Sequence, residues 1–319
     1  MQFYQSSDKI KSLNHSLMQK QCGDEAVLPT YVLITPARNE AAFIEQTVLS
    51  VIHQTILPIK WVIVSDGSED ETDEIVERYA LRFPWIELVR MPERAERHFG
   101  GKALAFKAGY ERLHNAQCEI IANLDADISF DDEYFCYLLK KFDLDPTLGV
   151  AGTPFRQGSF QYDYRFSRRE HVSGACQLFR RECFESIGGY LPLKEGGIDL
   201  AAVVTARMKG WKTETFTGKY CIHNRSMGKA APHLFKYFFR SGAGDYRMGV
   251  HPAWQFLRSI YQMSHKPIFL SGFLHLAGYF WAMLIRAPKP VSKEFVHFRR
   301  KEQMSWLKEY YKKALALLE

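Results

Sequence analysis

Asp125 and Asp127 are separated by the single residue Ala126 and follow the apolar run Glu119-Ile120-Ile121-Ala122-Asn123-Leu124. A run of that length bounded by polar residues predicts a buried strand. Side chains two apart in an extended backbone point the same way, so both carboxylates would leave one face together. They would do so at the C-terminal edge of the strand, where open α/β sheets bind ligands. Paired carboxylates suit a hard divalent cation, Mg2+ or Mn2+, which takes oxygen ligands and shares its coordination with phosphate and water. A lone Asp-x-Asp also serves as a turn or a helix cap, so its neighbours decide between the readings.

Those neighbours belong to alternating elements. Apolar runs predict strands over 31–36, 61–65 and 86–89, and helices follow over 41–53, from about Asp70 or Thr72, and over 101–114. The alternation predicts an α/β fold with a doubly wound, mainly parallel sheet. Four segments with reactive side chains then fall at strand ends: Pro36-Ala37-Arg38-Asn39-Glu40, Asp66-Gly67-Ser68, Gly100-Gly101-Lys102-Ala103 and Asp125-Ala126-Asp127. A parallel sheet gathers such ends along one edge. A carboxylate there can accept a base N–H, and Lys102 offers charge to a phosphate. Taken singly, Asp66-Gly67 reads as a turn, Asn39 or Glu40 as helix capping, and Lys102 as a solvated helix residue.

With these four segments in this order, residues 31–225 resemble the inverting family 2 glycosyltransferases, which have the GT-A fold and use nucleotide-diphosphate sugars. The resemblance implies that Pro36, Ala37 and Glu40 line the ribose and base, that Asp66 bonds the pyrimidine ring, and that Lys102 lies near the diphosphate. It assigns Asp125 and Asp127 to the metal motif, with Asp125 also touching the donor. Val172-Ser173-Gly174-Ala175-Cys176 precedes what reads as an apolar helix, and in the family Gly174, Ala175 and Cys176 would form the loop near donor sugar and acceptor. A tight packing turn is the other reading. Asp199, at the start of the helix Leu200 to Lys209, matches the catalytic base, although an Asp there is also an ordinary N-cap. Relatives carry Glu-Asp at this place, and Ile198 departs from it. His223, after a strand over Lys212 to Phe216, matches a ligand to metal or diphosphate; Arg225 is an alternative phosphate clamp.

The 319 residues, 46% of them hydrophobic, suffice for one large α/β domain and an appendage, and exclude a disordered chain. The expected organisation is an N-terminal extension over 1–30, a catalytic domain over 31–225 and a helical, membrane-associating region over 226–319. Six scattered cysteines with no C-x-x-C argue against zinc and for reduced thiols in a cytoplasmic compartment. The polar N-terminus has no apolar signal core, which argues against export. Residues 226–319 hold 15 Lys and Arg against 5 Asp and Glu, so the net +6 of the chain resides in the tail. A basic, aromatic tail suits an anionic membrane surface, and no nucleic-acid-binding motif accompanies it.

Leu234, Phe235, Phe238 and Phe239 recur at helical spacing, and residues 267–285 run without a formal charge between Lys266 and Arg286. That run fits a short span, a monotopic seat or a core helix. A basic helix over 293–319 follows, with Met304, Leu307, Tyr311, Leu315 and Leu318 on one face. No Gln/Arg-x-x-Arg-Trp motif of processive synthases is present, so single addition is expected. The sequence thus predicts a metal-dependent inverting hexosyltransferase at the cytoplasmic face of the membrane. It would move sugar from a nucleotide diphosphate to a lipid-linked saccharide in surface polysaccharide or glycan assembly. The alternatives are a polyprenyl-phosphate glycosyltransferase, with Arg156, Arg165, Arg168 and Arg169 holding the acceptor phosphate, and a catalytically silent nucleotide-sugar-binding or scaffold protein. An oxidoreductase is disfavoured because no G-x-G-x-x-G follows the first strand.

Overall fold

The computed structural model describes residues 27–92, 100–113, 115–158, 168–225, 234–264 and 267–316, with the side chains of the last four left aside. Residues 1–26 of the expected extension, Cys22, Arg165, Lys266 and Leu318 lie outside the described residues. The chain divides into two compact units. One holds the residues up to Lys194 together with Ile198–Ser226, and the other holds Glu195–Gly197 and Met227–Glu319.

The first unit is built on strands β1 (Tyr31–Ala37), β2 (Lys60–Asp66), β3 (Ile86–Met91) and β4 (Ile120–Leu124), and on β6 (Leu148–Gly152), β8 (Cys176–Arg180) and β9 (Lys212–Thr215). They form one sheet in the order β3-β2-β1-β4-β8-β6-β9. The first four are mutually parallel, β6 and β9 are parallel, and β8 runs antiparallel between β4 and β6. The predicted doubly wound sheet is therefore present, as a GT-A-like α/β fold.

One expectation fails here. Cys176 to Arg180 is a strand rather than the start of an apolar helix, and the helix that follows, Arg181–Ser186, is only six residues long. Periodicity cannot separate a short buried strand from a buried helix. Cys176, Gln177, Leu178 and Phe179 are all buried, with ladders on both sides supplying the backbone partners that a helix would have made internally.

Alternation fills both faces of the sheet. Tyr31, Leu33, Trp61 and Ile63 face a core with α1 (Ile44–Ile52), α2 (Thr72–Ala80) and α4 (Tyr134–Leu144). Val32, Ile34, Val62 and Val64 face a second core with α3 (Gly100–Glu111), α5 (Arg181–Ser186) and α6 (Ile198–Met208). Burying each Val, Leu or Ile contributes about 1.5–3 kcal/mol, enough to offset its backbone ordering of about 1–2 kcal/mol. Helix α3 lies close on the strands, since a Cβ at Gly109 would come within 2.7 Å of Ile34 Cγ2.

A second sheet of three short strands has the order β5-β10-β7, from β5 (Ile128–Ser129), β7 (Phe155–Arg156) and β10 (Cys221–His223). Its register sets His223 opposite Ile128, one residue past Asp127. Cys118, Cys176, Cys183 and Cys221 are free and buried. Cys136 is disulfide-bonded, so the expectation of reduced thiols does not hold at that position.

The second unit is helical: α7 (Leu234–Arg247), α8 (Pro252–Met263), α9 (Leu270–Leu284) and α10 (Lys293–Ala316). The charge-free run becomes α9, which is 15 residues long, with left-handed backbone just outside each end at Phe269 and Arg286. At 1.5 Å per residue it extends about 22 Å, against a hydrocarbon core of about 30 Å. Among the described residues no helix is long and apolar enough to cross a membrane.

One side of α9 packs tightly on α7: Cβ atoms at Gly242 and Gly278 would fall 1.8 Å from His275 O and 2.0 Å from Phe239 O. His275, buried in α9, places Nε2 at 2.9 Å from Asp245 Oδ2, and Arg258 donates to both Asp245 oxygens at 2.9 Å. The other side leaves Phe273, Phe280, Trp281 and Leu284 exposed. Among the described side chains of α10, Phe295, Arg299 and Gln303 are buried; of the predicted apolar face, Met304 and Leu307 are half-buried and Tyr311 is exposed. Arg299 donates to the Met248 carbonyl and Gln303 accepts from the His251 N–H, so backbone partners account for the two polar residues buried there.

Candidate active site

Strand ends position the site. Ala37 and Asp66 close β1 and β2, one strand apart, both buried, with Ala37 opposite Ser65. Beyond β1, Asn39 takes a left-handed conformation, and its Oδ1 accepts from the Glu69 N–H at 2.8 Å. The Glu40 N–H donates to Thr72 Oγ1 at 2.8 Å. The two predicted donor-binding turns, after β1 and after β2, are therefore hydrogen-bonded to each other, with Pro36 at the penultimate position of β1.

Asp125 and Asp127 follow β4. The Asp125 N–H donates to the Ala175 carbonyl at 2.9 Å, and Thr47 Oγ1 donates to the Ala126 carbonyl at 2.8 Å, which fixes the backbone between the carboxylates. The side chains then diverge in partners. Asp125 pairs with Lys102, from the first turn of α3, whose ammonium also reaches the Gly174 carbonyl at 3.2 Å. Burial works against the Lys102 charge, but Asp125, with Asp199 and Asp127 adding to it, raises its pKa. Gly174 in turn abuts Asp199 at the start of α6. Lys102, Asp125, Gly174 and Asp199 thus form one group, with Ala175 and Cys176 leading from it into β8.

Asp127 belongs to a second group. Its Oδ2 accepts from Arg225 Nε at 3.0 Å and lies 3.5 Å from His223 Nε2. Arg225 also pairs with Glu40. Burial, opposed by Arg225 and reinforced by Asp127 and Asp125, pushes Glu40 up to about 7. For Arg225, burial is outweighed by Asp127 and Glu40, and its pKa is raised.

Among the described residues no group of three or more His, Cys, Asp or Glu side chains is arranged as a metal site. The donors that are present nevertheless fit a divalent cation completed by a ligand's phosphates, for which one or two protein ligands are ordinary. Asp127 offers an oxygen and His223 a nitrogen facing it. His223 Nδ1 lies 3.3 Å from the Arg225 carbonyl, the kind of partner that leaves Nε2 free to coordinate.

Two supporting residues lie outside the predicted set. Asn123 Nδ2 donates to the Gly174 carbonyl at 3.0 Å, and an amide inside an apolar strand was a legible signal for it. Gln157 Nε2 donates to the Arg225 carbonyl at 2.6 Å and lies 3.3 Å from His223 Nδ1; no motif marks it. Of the arginines considered for an acceptor phosphate, Arg156 lies over the Tyr220 ring at 3.5 Å, and Arg168 pairs with Glu170 at 2.8 Å.

The mostly parallel sheet, with acidic residues gathered beyond its strand ends, is a GT-A-like α/β arrangement. The chain belongs to glycosyl transferase family 2, whose family model matches residues 32–195. It is 29% identical over 151 residues to a poly-beta-1,6-N-acetyl-D-glucosamine synthase of Staphylococcus epidermidis, covering 46% of this chain and 33% of that protein. It is 27% identical over 129 residues to a chondroitin synthase of Pasteurella multocida, covering 40% of this chain and 12% of that one. The chain thus spans a third or less of the length of these relatives. In fold it is similar to a mannosyltransferase from Pyrobaculum calidifontis in complex with GDP-Man and Mn2+, with a TM-score of 0.54 and 22% identity over 96% of this chain and 87% of that one.

Proposed function

We propose that the protein transfers one hexose, with inversion, from a nucleotide-diphosphate sugar to a lipid-linked saccharide at the cytoplasmic face of a membrane, with Mg2+ or Mn2+ as cofactor. The observation that carries this reading is the meeting of Asp199, Gly174, Lys102 and Asp125 beyond the strand ends. Pro36, Ala37, Glu40 and Asp66 would receive the nucleoside. Lys102 would neutralise the diphosphate, and Gly174, Ala175 and Cys176 would give the sugar close backbone approach.

Asp199 would accept the proton of the acceptor hydroxyl as that oxygen attacks the anomeric carbon. The new carbon–oxygen bond forms on the face opposite the leaving group, and the bonding pair of the broken one departs with the nucleoside diphosphate. An ordinary carboxylate serves because the hydroxyl becomes acidic only as the bond forms. Asp127 and His223 would hold the cation, with Asp125 beside them, and the bound ion supplies electrostatic stabilisation of the leaving diphosphate. The solved neighbour's GDP-Man and Mn2+ support the choice of donor class and ion.

The helical unit supports the membrane part. Exposed Phe256, Leu257 and Ile260 on α8 and Phe273, Phe280 and Trp281 on α9 occur in a tail of strongly basic composition. That combination suits seating in the plane of an anionic bilayer. The test is product analysis with UDP- and GDP-sugars, Mn2+ and lipid-linked acceptors. A glycan extended by one sugar of inverted anomeric configuration is expected. Transfer to bare polyprenyl phosphate would instead select the other enzyme reading, and donor binding without any product would select the silent binder.

A further inference from the structure

We propose that Arg225 is a resident counter-ion that keeps Asp127 from a divalent cation until a nucleoside diphosphate arrives, and that its guanidinium then turns onto the diphosphate. The inference rests on the donor class proposed above and adds an order to it.

The oxygen that faces His223 Nε2, Asp127 Oδ2, is the same one to which Arg225 Nε donates. A cation seated between Asp127 and His223 would therefore compete with Arg225 for that oxygen and meet the repulsion of its charge. Displacement of Arg225 is opposed twice over, because the planar guanidinium binds Asp127 and Glu40 at once and cannot lose its charge by deprotonation. With Lys102 on Asp125 and Arg225 across Asp127 and Glu40, each of these three acidic side chains already has a cationic partner. A lone dication gains little from a cluster so compensated. A diphosphate changes the balance, since it offers Arg225 a bidentate anion of its own and releases Asp127.

The movement needs only the side chain to turn, because the backbone on either side keeps partners of its own. The Arg225 carbonyl is held by Gln157 Nε2 at 2.6 Å, and the Asn224 N–H donates to the Asp127 carbonyl at 2.8 Å. The β10 register, with His223 opposite Ile128, pins the chain just before them. The side chain is 44% exposed, and its guanidinium carbon lies 5.1 Å from the centroid of the Phe43 ring, a face that tolerates a cation in more than one position. The expected result is reciprocal coupling: nucleotide tightens cation binding and the cation tightens nucleotide binding.

Mn2+ binding to the full chain, followed by the electron paramagnetic resonance signal of the free ion with and without GDP or UDP, tests this. The wild type should bind Mn2+ weakly alone and more tightly with nucleotide. Arg225→Gln should bind Mn2+ alone at least about 10-fold more tightly than wild type, the scale of one charge-assisted hydrogen bond, and should gain correspondingly less from nucleotide. Arg225→Lys keeps the charge without the fork and should fall between. Asp127→Ala should bind no Mn2+ with or without nucleotide.

If nucleotide promotes Mn2+ binding in the wild type but Arg225→Gln alone binds no tighter, the counter-ion role is overturned and the proposed function stands. If no form binds Mn2+ even with nucleotide, the cation assignment falls and this inference with it. Should Arg225→Gln fail to fold, an unchanged affinity in Arg225→Lys overturns the proposal.

Discussion

Gly174 lies against the side chain of Asp199, so closely that a Cβ at position 174 would come within 2.9 Å of Asp199 Cβ and 3.0 Å of its Oδ2. The glycine is required by the acidic neighbour, since no left-handed backbone is involved. Gly174→Ala should push the carboxylate or the loop aside by a few tenths of an ångström. Turnover should fall about 10- to 100-fold, the usual sensitivity to a misplaced reacting group. Donor affinity measured by calorimetry should fall less than turnover, because the Gly174 carbonyl that receives Lys102 and Asn123 is retained.

Asp199→Asn keeps the volume and removes the base. Turnover in a coupled nucleotide-release assay should drop at least about 100-fold while donor binding persists. Near-wild-type turnover would reduce Asp199 to a helix cap.

The sheet and the carboxylate pair were legible because both rest on local pattern. The run before Asp125 became β4 to within a residue, and the 31–36, 61–65 and 86–89 predictions became β1, β2 and β3 with slightly wider bounds. The stretch after Gly174 was not legible, because Cys176 to Phe179 is an apolar run with ladder partners supplied by distant residues. Likewise β5 and β7 hold two residues each, too few to carry a period, although the β10 register is what brings His223 and Arg225 to Asp127. Histidine and arginine were visible in the sequence; their proximity to one carboxylate oxygen was not.

Phe273 and Trp281 expose 61% and 52% of their surface on α9. With vesicles containing an anionic lipid, the full chain should float with lipid and remain bound in high salt, since apolar insertion is not screened. The double variant Phe273→Asp/Trp281→Asp should weaken partitioning at least about 10-fold with its circular dichroism unchanged. A wild-type chain that stays with the soluble fraction would refute the membrane seat.

Asp245 gives the helical unit a pH signature. Burial pushes its carboxyl up, but Arg258 and His275 outweigh burial and hold it below the ordinary carboxylate range. A depressed acid stabilises the fold above its unfolded pKa, and that contribution disappears as pH falls through the folded value. Asp245→Asn should therefore cost about 3 kcal/mol at neutral pH, the lower end for breaking a buried pair given the exposure of Arg258. Urea melts between about pH 2 and pH 5 should show the wild type losing more stability than the variant.

The carboxylate pair stands on supports of unequal firmness. Asp125 is tied at the backbone to Ala175, where β4 and β8 meet in the middle of a seven-stranded sheet. His223 and Arg225, the partners of Asp127, depend on a three-residue strand paired with two-residue strands on either side. Backbone amides of so small a ladder should exchange with solvent far sooner than those of Ile121 or Leu178, because little buried area resists their opening. The side of the site that carries Lys102 and Asp125 can then persist while the side that carries His223 and Arg225 rearranges, so a ligand would meet a fixed floor and a compliant wall.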